Sequence, residues 1–208
     1  VFDCDGTLAD TESVSERAWE EVLARRGYRV TPEDHDAIIG LPFARSLEHY
    51  ASRVDLGAEE EFRVELRSRF VDLLAQGLRL YDDALTTMRR LALAEVPIAV
   101  ASSSTRGHVE RVLELGGVRG LVAAVVSADD VRAHKPAPDP YLAAVAALGV
   151  RPERATAVED TAVGIASARA AGLHTVGVRR RGIPPERLAG ADVVVETVEI
   201  GLFLPGRT

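Results

Sequence analysis

Between residues 11 and 80, apolar positions recur every three or four residues, the spacing that places them on one face of an α-helix. One such stripe consists of Val14, Ala18 and Val22, with Trp19 and Leu23 beside it. The pattern predicts helices at residues 11–27, 32–39, 46–54 and 59–74, with Thr11 as a cap and a turn at residues 40–46. We find no strand pattern in this block, so it is expected to be all helical.

From residue 81 onward, short continuous apolar runs alternate with helical patterns. The expected helices are at residues 82–93, 105–115, 141–148 and 161–171, and the expected strands at residues 97–101, 121–126, 155–158, 175–178 and 193–195. Val1 and Phe2 read as the end of a further strand. This alternation is typical of a parallel sheet covered on both faces. The predicted fold class is therefore α/β, with a Rossmann-like doubly wound core at residues 1–10 and 81–208 and a helical insertion at residues 11–80.

Composition narrows the classes of function. A length of 208 residues allows one substantial core with a modest insertion. The formal net charge of −7 argues against a nucleic-acid-binding surface. One cysteine cannot form an internal disulfide, so a reducing cytoplasmic location is expected. No apolar run is long enough to predict a membrane span.

The opening segment VFDCDGTLAD carries two acids separated by one residue. Side chains alternate along an extended chain, so Asp3 and Asp5 are expected on one side and Cys4, as a buried thiol, on the other. Gly6 permits a sharp turn, after which Thr7 and Asp10 can bond free amides. Crowded carboxylates repel each other. A bound cation or phosphate chemistry explains the pair, and a turn with two solvated acids is the alternative.

Other polar residues follow the predicted strands. Ser102 comes after one strand, Glu159 and Asp160 end another, and Lys135 lies in the intervening HKPAPD loop. Ligands of parallel sheets bind outside the carboxyl ends of the strands. Each residue also has a simpler interpretation: Ser102 as a cap for the helix near residue 105, Lys135 as an ordinary loop lysine, and the two acids as favourable charges at a helix N-terminus. None of these simpler interpretations explains why all four residues fall at the same edge of the predicted sheet.

Together, the segments DCDGTLAD, AVASSS, KPAPD and VEDTAVGI resemble the motifs of the haloacid dehalogenase superfamily, in the branch with a helical cap after the first strand. The likeness covers nearly the whole chain. It is greatest to sugar-phosphate phosphatases and β-phosphoglucomutase. The resemblance implies that Asp3 is the nucleophile, forming an aspartyl phosphate, and that Asp5 is the general acid and base.

The same resemblance implies a Mg²⁺ cofactor. Its ligands would be the Asp3 side chain, the Asp5 backbone carbonyl and Asp160, with Glu159 as a direct or supporting partner. Oxygen ligands suit Mg²⁺ rather than zinc.

The resemblance also implies which groups bind the substrate. Ser102 and Lys135 would hold the phosphoryl oxygens, helped by turn amides around Gly6, with Ser103 as a further substrate-binding residue. The expected partner is a small phosphorylated metabolite, and the expected assembly is a monomer or weak homodimer.

Two departures bear on the reaction. Dehalogenases of this fold lack the second acid, so Asp5 favours phosphate ester chemistry. The mutase carries a histidine where Ser15 stands and an arginine where Phe43 stands, although Arg45 is nearby. We therefore favour a phosphatase, with a phosphosugar mutase and a non-catalytic sugar-phosphate-binding regulator as alternatives.

Selectivity is expected to come from the helical insertion. Ser15, Phe43 and Arg45 are candidate substrate-lining residues. Arg67 or Arg69 could recognise a distal anion, or both could belong to a solvated helix face. His134 is either a harmless loop residue or one that crowds the substrate mouth. The basic run at residues 179–181 is expected to be a solvated loop.

Overall fold

A computed structural model describes residues 1–38, 43–180 and 184–203 of the chain. These residues form two compact units, of which the first combines Val1–Ala9 with Leu80–Thr208 and the second is Asp10–Arg79. The expected boundaries differ from these by one residue. Within the described ranges, no helix combines the length and apolar character needed to cross a membrane.

The first unit is built on a parallel sheet. Its strands are β1 (Ala99–Ala101), β2 (Ala124–Val126), β3 (Thr156–Glu159), β4 (His174–Val178) and β5 (Val193–Val195). β1 pairs with β2, and β4 pairs with both β3 and β5, all in parallel. Phe2 forms parallel bridges to Val100 and Val158. The chain start therefore lies between β1 and β3, which confirms the predicted α/β class.

Helices of the first unit are α5 (Asp82–Leu93), α6 (Arg106–Leu115), α7 (Asp139–Leu148) and α8 (Ala162–Ala170). α7 and α8 pack on the sheet, where their apolar side chains join Ala99, Ala101 and Ala157 in one buried cluster. α7 begins two residues before its predicted start because Asp139 and Pro140 suit a first helical turn. The predicted strand at residues 121–126 is too long, since Arg119–Leu121 form a 3₁₀ turn.

The second unit contains α1 (Thr11–Ala24), α2 (Pro32–Ile38), α3 (Phe43–Ala51) and α4 (Glu59–Gln76). Its core is aromatic: the ring of Trp19 lies 4.9 Å from that of Tyr50 and 5.5 Å from that of Phe62. Asp10, and not Thr11, caps α1, because its carboxylate accepts a 3.3 Å hydrogen bond from the Ser13 amide.

The predicted turn at residues 40–46 is wrong from Phe43 onward, where α3 has already begun. Its first part, residues 40–42, lies outside the described residues.

The expectation of a solvated loop at residues 179–181 is wrong for Arg180. This side chain is buried, donates to both carboxylate oxygens of Asp83 at 2.9 and 3.0 Å, and also donates to the Thr7 carbonyl at 3.2 Å. Its guanidinium lies 3.9 Å from the centre of the Tyr81 ring. Arg179 remains partly exposed and pairs with Glu196, and Arg181 lies outside the described residues.

Candidate active site

Lys135 connects Asp3, which follows the first strand segment at Val1 and Phe2, to Glu159 at the end of β3. Its ammonium donates to Asp3 Oδ1 and Glu159 Oε1, each at 2.6 Å, and to the Ala101 carbonyl at 3.0 Å. All three charged side chains are at least 90% buried. The ring of Tyr141 lies 5.0 Å from the ammonium. The loop lysine is therefore a buried group at the carboxyl ends of the strands.

The electrostatics of this contact are unbalanced. Burial, together with the carboxylates of Glu159 and Asp5, raises the pKa of Asp3 to about 8, although Lys135 acts in the opposite direction. Burial would lower the pKa of Lys135, but Asp3 and Glu159 raise it well above the usual lysine value. The ammonium thus stays charged, and one ammonium does not offset the buried carboxylates around it.

Glu159 is fully occupied by protein donors. Oε1 accepts from Lys135 and from the Tyr141 hydroxyl at 2.9 Å. Oε2 accepts from the Asp160 amide and from the amide and hydroxyl of Thr161 at 3.0–3.2 Å. A Cβ atom at Gly164 would lie 1.7 Å from Oε1, so this glycine leaves the space that the carboxylate fills. Glu159 consequently fixes Lys135 and the start of α8.

Asp160 lies beside the turn that follows the first strand segment. Thr7 donates to Asp160 Oδ1 at 3.1 Å. Gly6 has a φ of +77°, and a Cβ atom there would lie 1.9 Å from Asp160 Oδ2. Asp3, Glu159 and Asp160 each offer an oxygen within 4.8 Å of the others. The structure therefore brings together the three side chains, Asp3, Glu159 and Asp160, that the family resemblance implies as metal ligands or their partners.

Asp5 has a different set of partners from Asp3. Its Oδ2 accepts from the hydroxyls of Ser104 at 2.7 Å and Ser102 at 3.3 Å, and its Oδ1 lies 2.7 Å from Nε2 of His108. That hydrogen bond raises the pKa of His108 above its ordinary value, although burial opposes the effect. Ser102 accepts from the Ser104 amide and does not cap α6, whose cap position is Thr105.

Cys4 is buried, as the sequence indicates, but the expectation that it faces away from Asp5 is wrong. Ligand atoms of Cys4, Asp5 and His108 all lie within 4.8 Å of one another. The alternation of an extended strand ends here, because the amides of Leu8 and Ala9 both donate to the Cys4 carbonyl and form a tight turn.

The insertion residues separate into two groups. Ser15 and Phe43 line a cavity of about 510 Å³ within the helical unit, together with Arg67 and aromatic side chains. Arg45 is exposed and pairs with Glu48 at 2.6 Å, away from this lining. Arg69 pairs with Glu21 at 2.5 Å. This pairing agrees with the alternative that Arg69 belongs to a solvated helix face and does not bind an anion. Ser103 and His134, in the other unit, are both exposed.

Sequence reasoning missed Ser104, His108 and Tyr141. Ser104 and His108 follow β1 and could have been placed near the strand ends from their position in the chain. Their contacts with Asp5 span about a hundred residues of sequence and leave no local signal. Tyr141 is the first residue of a predicted helix, and its hydroxyl contact with Glu159 depends on how α7 packs.

The profile of the haloacid dehalogenase-like hydrolases matches residues 1–178 of the chain. The chain belongs to this family. The fructose-1-phosphate phosphatase YqaB of Escherichia coli (strain K12) is 35% identical over 184 residues, covering 86% of this chain and 95% of the relative. These matches confirm the predicted family, and the named phosphatase bears out the predicted enzyme class, a phosphoric monoester hydrolase of this family.

Solved structures share the fold of this chain. A hydrolase from Deinococcus radiodurans R1, with bound phosphate and sodium, has a TM-score of 0.80 and 28% identity, and the match covers 99% of this chain and 96% of that one. A β-phosphoglucomutase from Clostridium difficile has a TM-score of 0.73 and 21% identity, with 95% and 89% covered. The second likeness is one of fold alone.

Proposed function

We propose that the protein is a Mg²⁺-dependent phosphatase that hydrolyses a small phosphorylated metabolite, such as a sugar phosphate, through an aspartyl phosphate on Asp3. The observation that carries the proposal is the buried bridge from Lys135 to Asp3 and Glu159, with Asp160 in the same cluster. At the carboxyl ends of the strands, this bridge brings together a nucleophile, a cation that can bind phosphoryl oxygens, and acidic metal ligands.

The acids fit a magnesium ion. Their donor atoms are carboxylate oxygens, which Mg²⁺ prefers, and the raised pKa of Asp3 reflects its burial beside the carboxylates of Glu159 and Asp5. Glu159 already accepts five hydrogen bonds from described residues, so the side chains of Asp3 and Asp160, with the Asp5 carbonyl, are the proposed ligands. When bound, the ion would neutralise charge on the phosphoryl group and its carboxylate neighbours.

In the first step, a carboxylate oxygen of Asp3 forms a bond to phosphorus as the bond from phosphorus to the leaving oxygen breaks. Asp5 gives its proton to that leaving oxygen, so an alcohol departs. Lys135 and the Ser102 hydroxyl face the phosphoryl oxygens and stabilise their charge. The product is an aspartyl phosphate on Asp3 and an ionised Asp5.

In the second step, water attacks phosphorus while Asp5 takes its proton. The bond from phosphorus to Asp3 breaks, which regenerates the Asp3 carboxylate and releases phosphate. Asp5 returns to its protonated form, so the cycle closes without a further reagent.

Substrate choice stays a prediction for the helical unit. Its cavity has aromatic walls and two arginines, Arg63 and Arg67, against one acid, Glu60, a combination that suits a polar metabolite with a second anionic group. Arg45 is a weaker candidate than Arg67 for binding this anionic group, since Arg45 pairs with Glu48 on the surface. Ser15 and Phe43, where the mutase has histidine and arginine, favour hydrolysis over phosphoryl transfer between sugars.

A screen tests this proposal. The protein is incubated with Mg²⁺ and a panel of phosphate monoesters that includes fructose 1-phosphate, and free phosphate is measured. We expect release that Asp3→Asn abolishes and that Asp82→Asn, which changes an exposed carboxyl of α5, leaves unchanged.

Each alternative has its own outcome. Glucose 6-phosphate formed from β-glucose 1-phosphate with a bisphosphate primer, and without phosphate release, supports the mutase. Thermal stabilisation by sugar phosphates without any turnover supports the regulator. Activity that survives Asp3→Asn contradicts the nucleophile assignment.

A further inference from the structure

Three of the groups that contact the carboxylate of Asp5 follow β1. Ser102 and Ser104 lie in the loop after the strand, and His108 lies in the first turn of α6. Two of the contacts, from Ser104 Oγ and His108 Nε2, are 2.7 Å long and engage different oxygens of the carboxylate. Two short hydrogen bonds on opposite oxygens fix the plane of a carboxyl group.

His108 is itself held in place. The first turn of α6 is anchored by β2 and the segment after it: the Arg106 amide donates to Asp129 at 2.8 Å, and the Arg106 guanidinium donates to Asp130 at 2.7 Å and to the Val125 carbonyl at 3.0 Å. The His108 side chain is 85% buried, while that of Asp5 is 31% exposed. A buried donor on an anchored helix turn therefore reaches the more accessible acid.

We propose that His108 is a positioning residue for Asp5: its Nε2–H, together with the Ser104 hydroxyl, orients the Asp5 carboxyl and stabilises its ionised form once the proton has passed to the leaving group. An ionised carboxylate accepts hydrogen bonds and donates none, so Nε2 carries the proton in this contact. The inference rests on the proposed function of Asp5 as acid and base.

The role follows from when the hydrogen bonds are strongest. Bonds to an ionised acceptor are about twice as strong as bonds between neutral groups. Asp5 becomes ionised as it protonates the leaving oxygen, so the donors gain strength along the first step and stabilise its transition state more than the ground state. An aryl leaving group such as p-nitrophenolate departs without a proton and does not use this effect.

The test compares two classes of substrate. For His108→Leu we expect kcat/KM for the best alkyl phosphate of the panel to fall about 10- to 100-fold. For p-nitrophenyl phosphate, kcat/KM should change by less than about threefold, because it reports steps only through formation of the aspartyl phosphate. Asp5→Asn should show the same selectivity to a greater degree.

Two further variants separate positioning from folding. His108→Gln keeps an N–H donor at a similar reach and should recover most of the alkyl phosphate activity. His174→Leu removes a histidine that also pairs with an aspartate, Asp192, but at the opposite edge of the sheet, and should leave both substrates unaffected. Thermal midpoints of all variants verify folding.

The contact can also be measured without turnover. Asp5→Asn should shift the imidazole ¹⁵N resonances of His108 and leave those of His174 unchanged. Equal losses on both substrate classes, no rescue by glutamine, or an unchanged His108 signal would overturn the inference while the phosphatase stands. A wild-type protein that hydrolyses no panel substrate would overturn the proposed function, and the positioning role with it.

Discussion

Gly6 shows how one residue controls the site. It combines a left-handed backbone conformation with a surface on which the Asp160 carboxylate rests. Gly27 has nearly the same φ, +76°, but a Cβ atom there would meet nothing within 4 Å. The two positions therefore separate backbone strain from steric conflict with the acids.

We expect Gly27→Ala to lower the free energy of unfolding by about 1–2 kcal/mol through backbone strain, and Gly6→Ala to lower it by at least as much because Asp160 must also move. Gly6→Ala alone should also displace Asp160 and reduce phosphatase activity by roughly 100-fold or more. Urea unfolding and phosphate release measure the two effects. Similar activity in the two variants would contradict the steric role of Gly6.

The raised pKa of Asp3 makes the stability of the folded state depend on pH. Folding raises its pKa from 3.8 to about 8. The folded state thus holds a proton that the unfolded chain releases between these values, and its stability falls as the pH rises through that window. A neutral side chain at this position has no such dependence.

In EDTA, we therefore expect the thermal midpoint of Asp3→Asn to rise relative to the wild type as the pH increases from about 4 to about 8. The difference should be smallest near pH 4 and reach several degrees at pH 8. Asp82→Asn, on the surface of α5, should follow the wild-type curve. Parallel curves for Asp3→Asn and wild type would refute the raised pKa.

At the scale of elements, the segment after β4 places two neighbouring arginines in opposite environments. Arg180 reaches back to Asp83 at the start of α5 and to the turn at Thr7, whereas Arg179 pairs with Glu196 near the surface. One arginine links three chain segments of the first unit, and the other contacts a single exposed side chain.

Arg180→Met is expected to lower the free energy of unfolding by about 3 kcal/mol, because it leaves the largely buried Asp83 carboxylate without the guanidinium that offsets its charge. Arg179→Met should change it by less than about 0.5 kcal/mol. Denaturant unfolding of the two variants provides the comparison. Equal effects would mean that the ion pair with Asp83 does not stabilise the unit.

At the scale of the whole molecule, each unit has its own hydrophobic cluster, and the cluster of buried acids Asp3, Glu159 and Asp160 lies in the first. A cation bound there would stabilise the folded chain by mass action, since the unfolded chain does not assemble the site. This linkage gives a test of the metal site that does not depend on turnover.

Mg²⁺ at ten times its dissociation constant should stabilise the protein by about 1.4 kcal/mol, which corresponds to a rise of roughly 3–6 °C in the thermal midpoint. EDTA should reverse the rise, and Asp160→Asn should abolish it, while Asp82→Asn should keep it. A full rise in Asp160→Asn would remove Asp160 from the proposed ligands. Differential scanning calorimetry at fixed pH and ionic strength makes the measurement.

The sequence by itself determined the fold class, and it predicted the helical insertion and the set of acids at the strand ends. Run length, period and the order of motifs are local properties, so they survive without coordinates. The parallel sheet places the ends of its strands at one edge, which is why Asp3, Lys135, Glu159 and Asp160 could be grouped in advance.

Only the tertiary structure decided how those groups are partnered. It paired Glu159 with Lys135 and Tyr141, placed Ser104 and His108 against the Asp5 carboxyl, and buried Arg180. These contacts join residues far apart in the chain, and they depend on the path of each loop and the packing of each helix. A local pattern indicates which face of an element is apolar, but it carries no information about which distant side chain meets it.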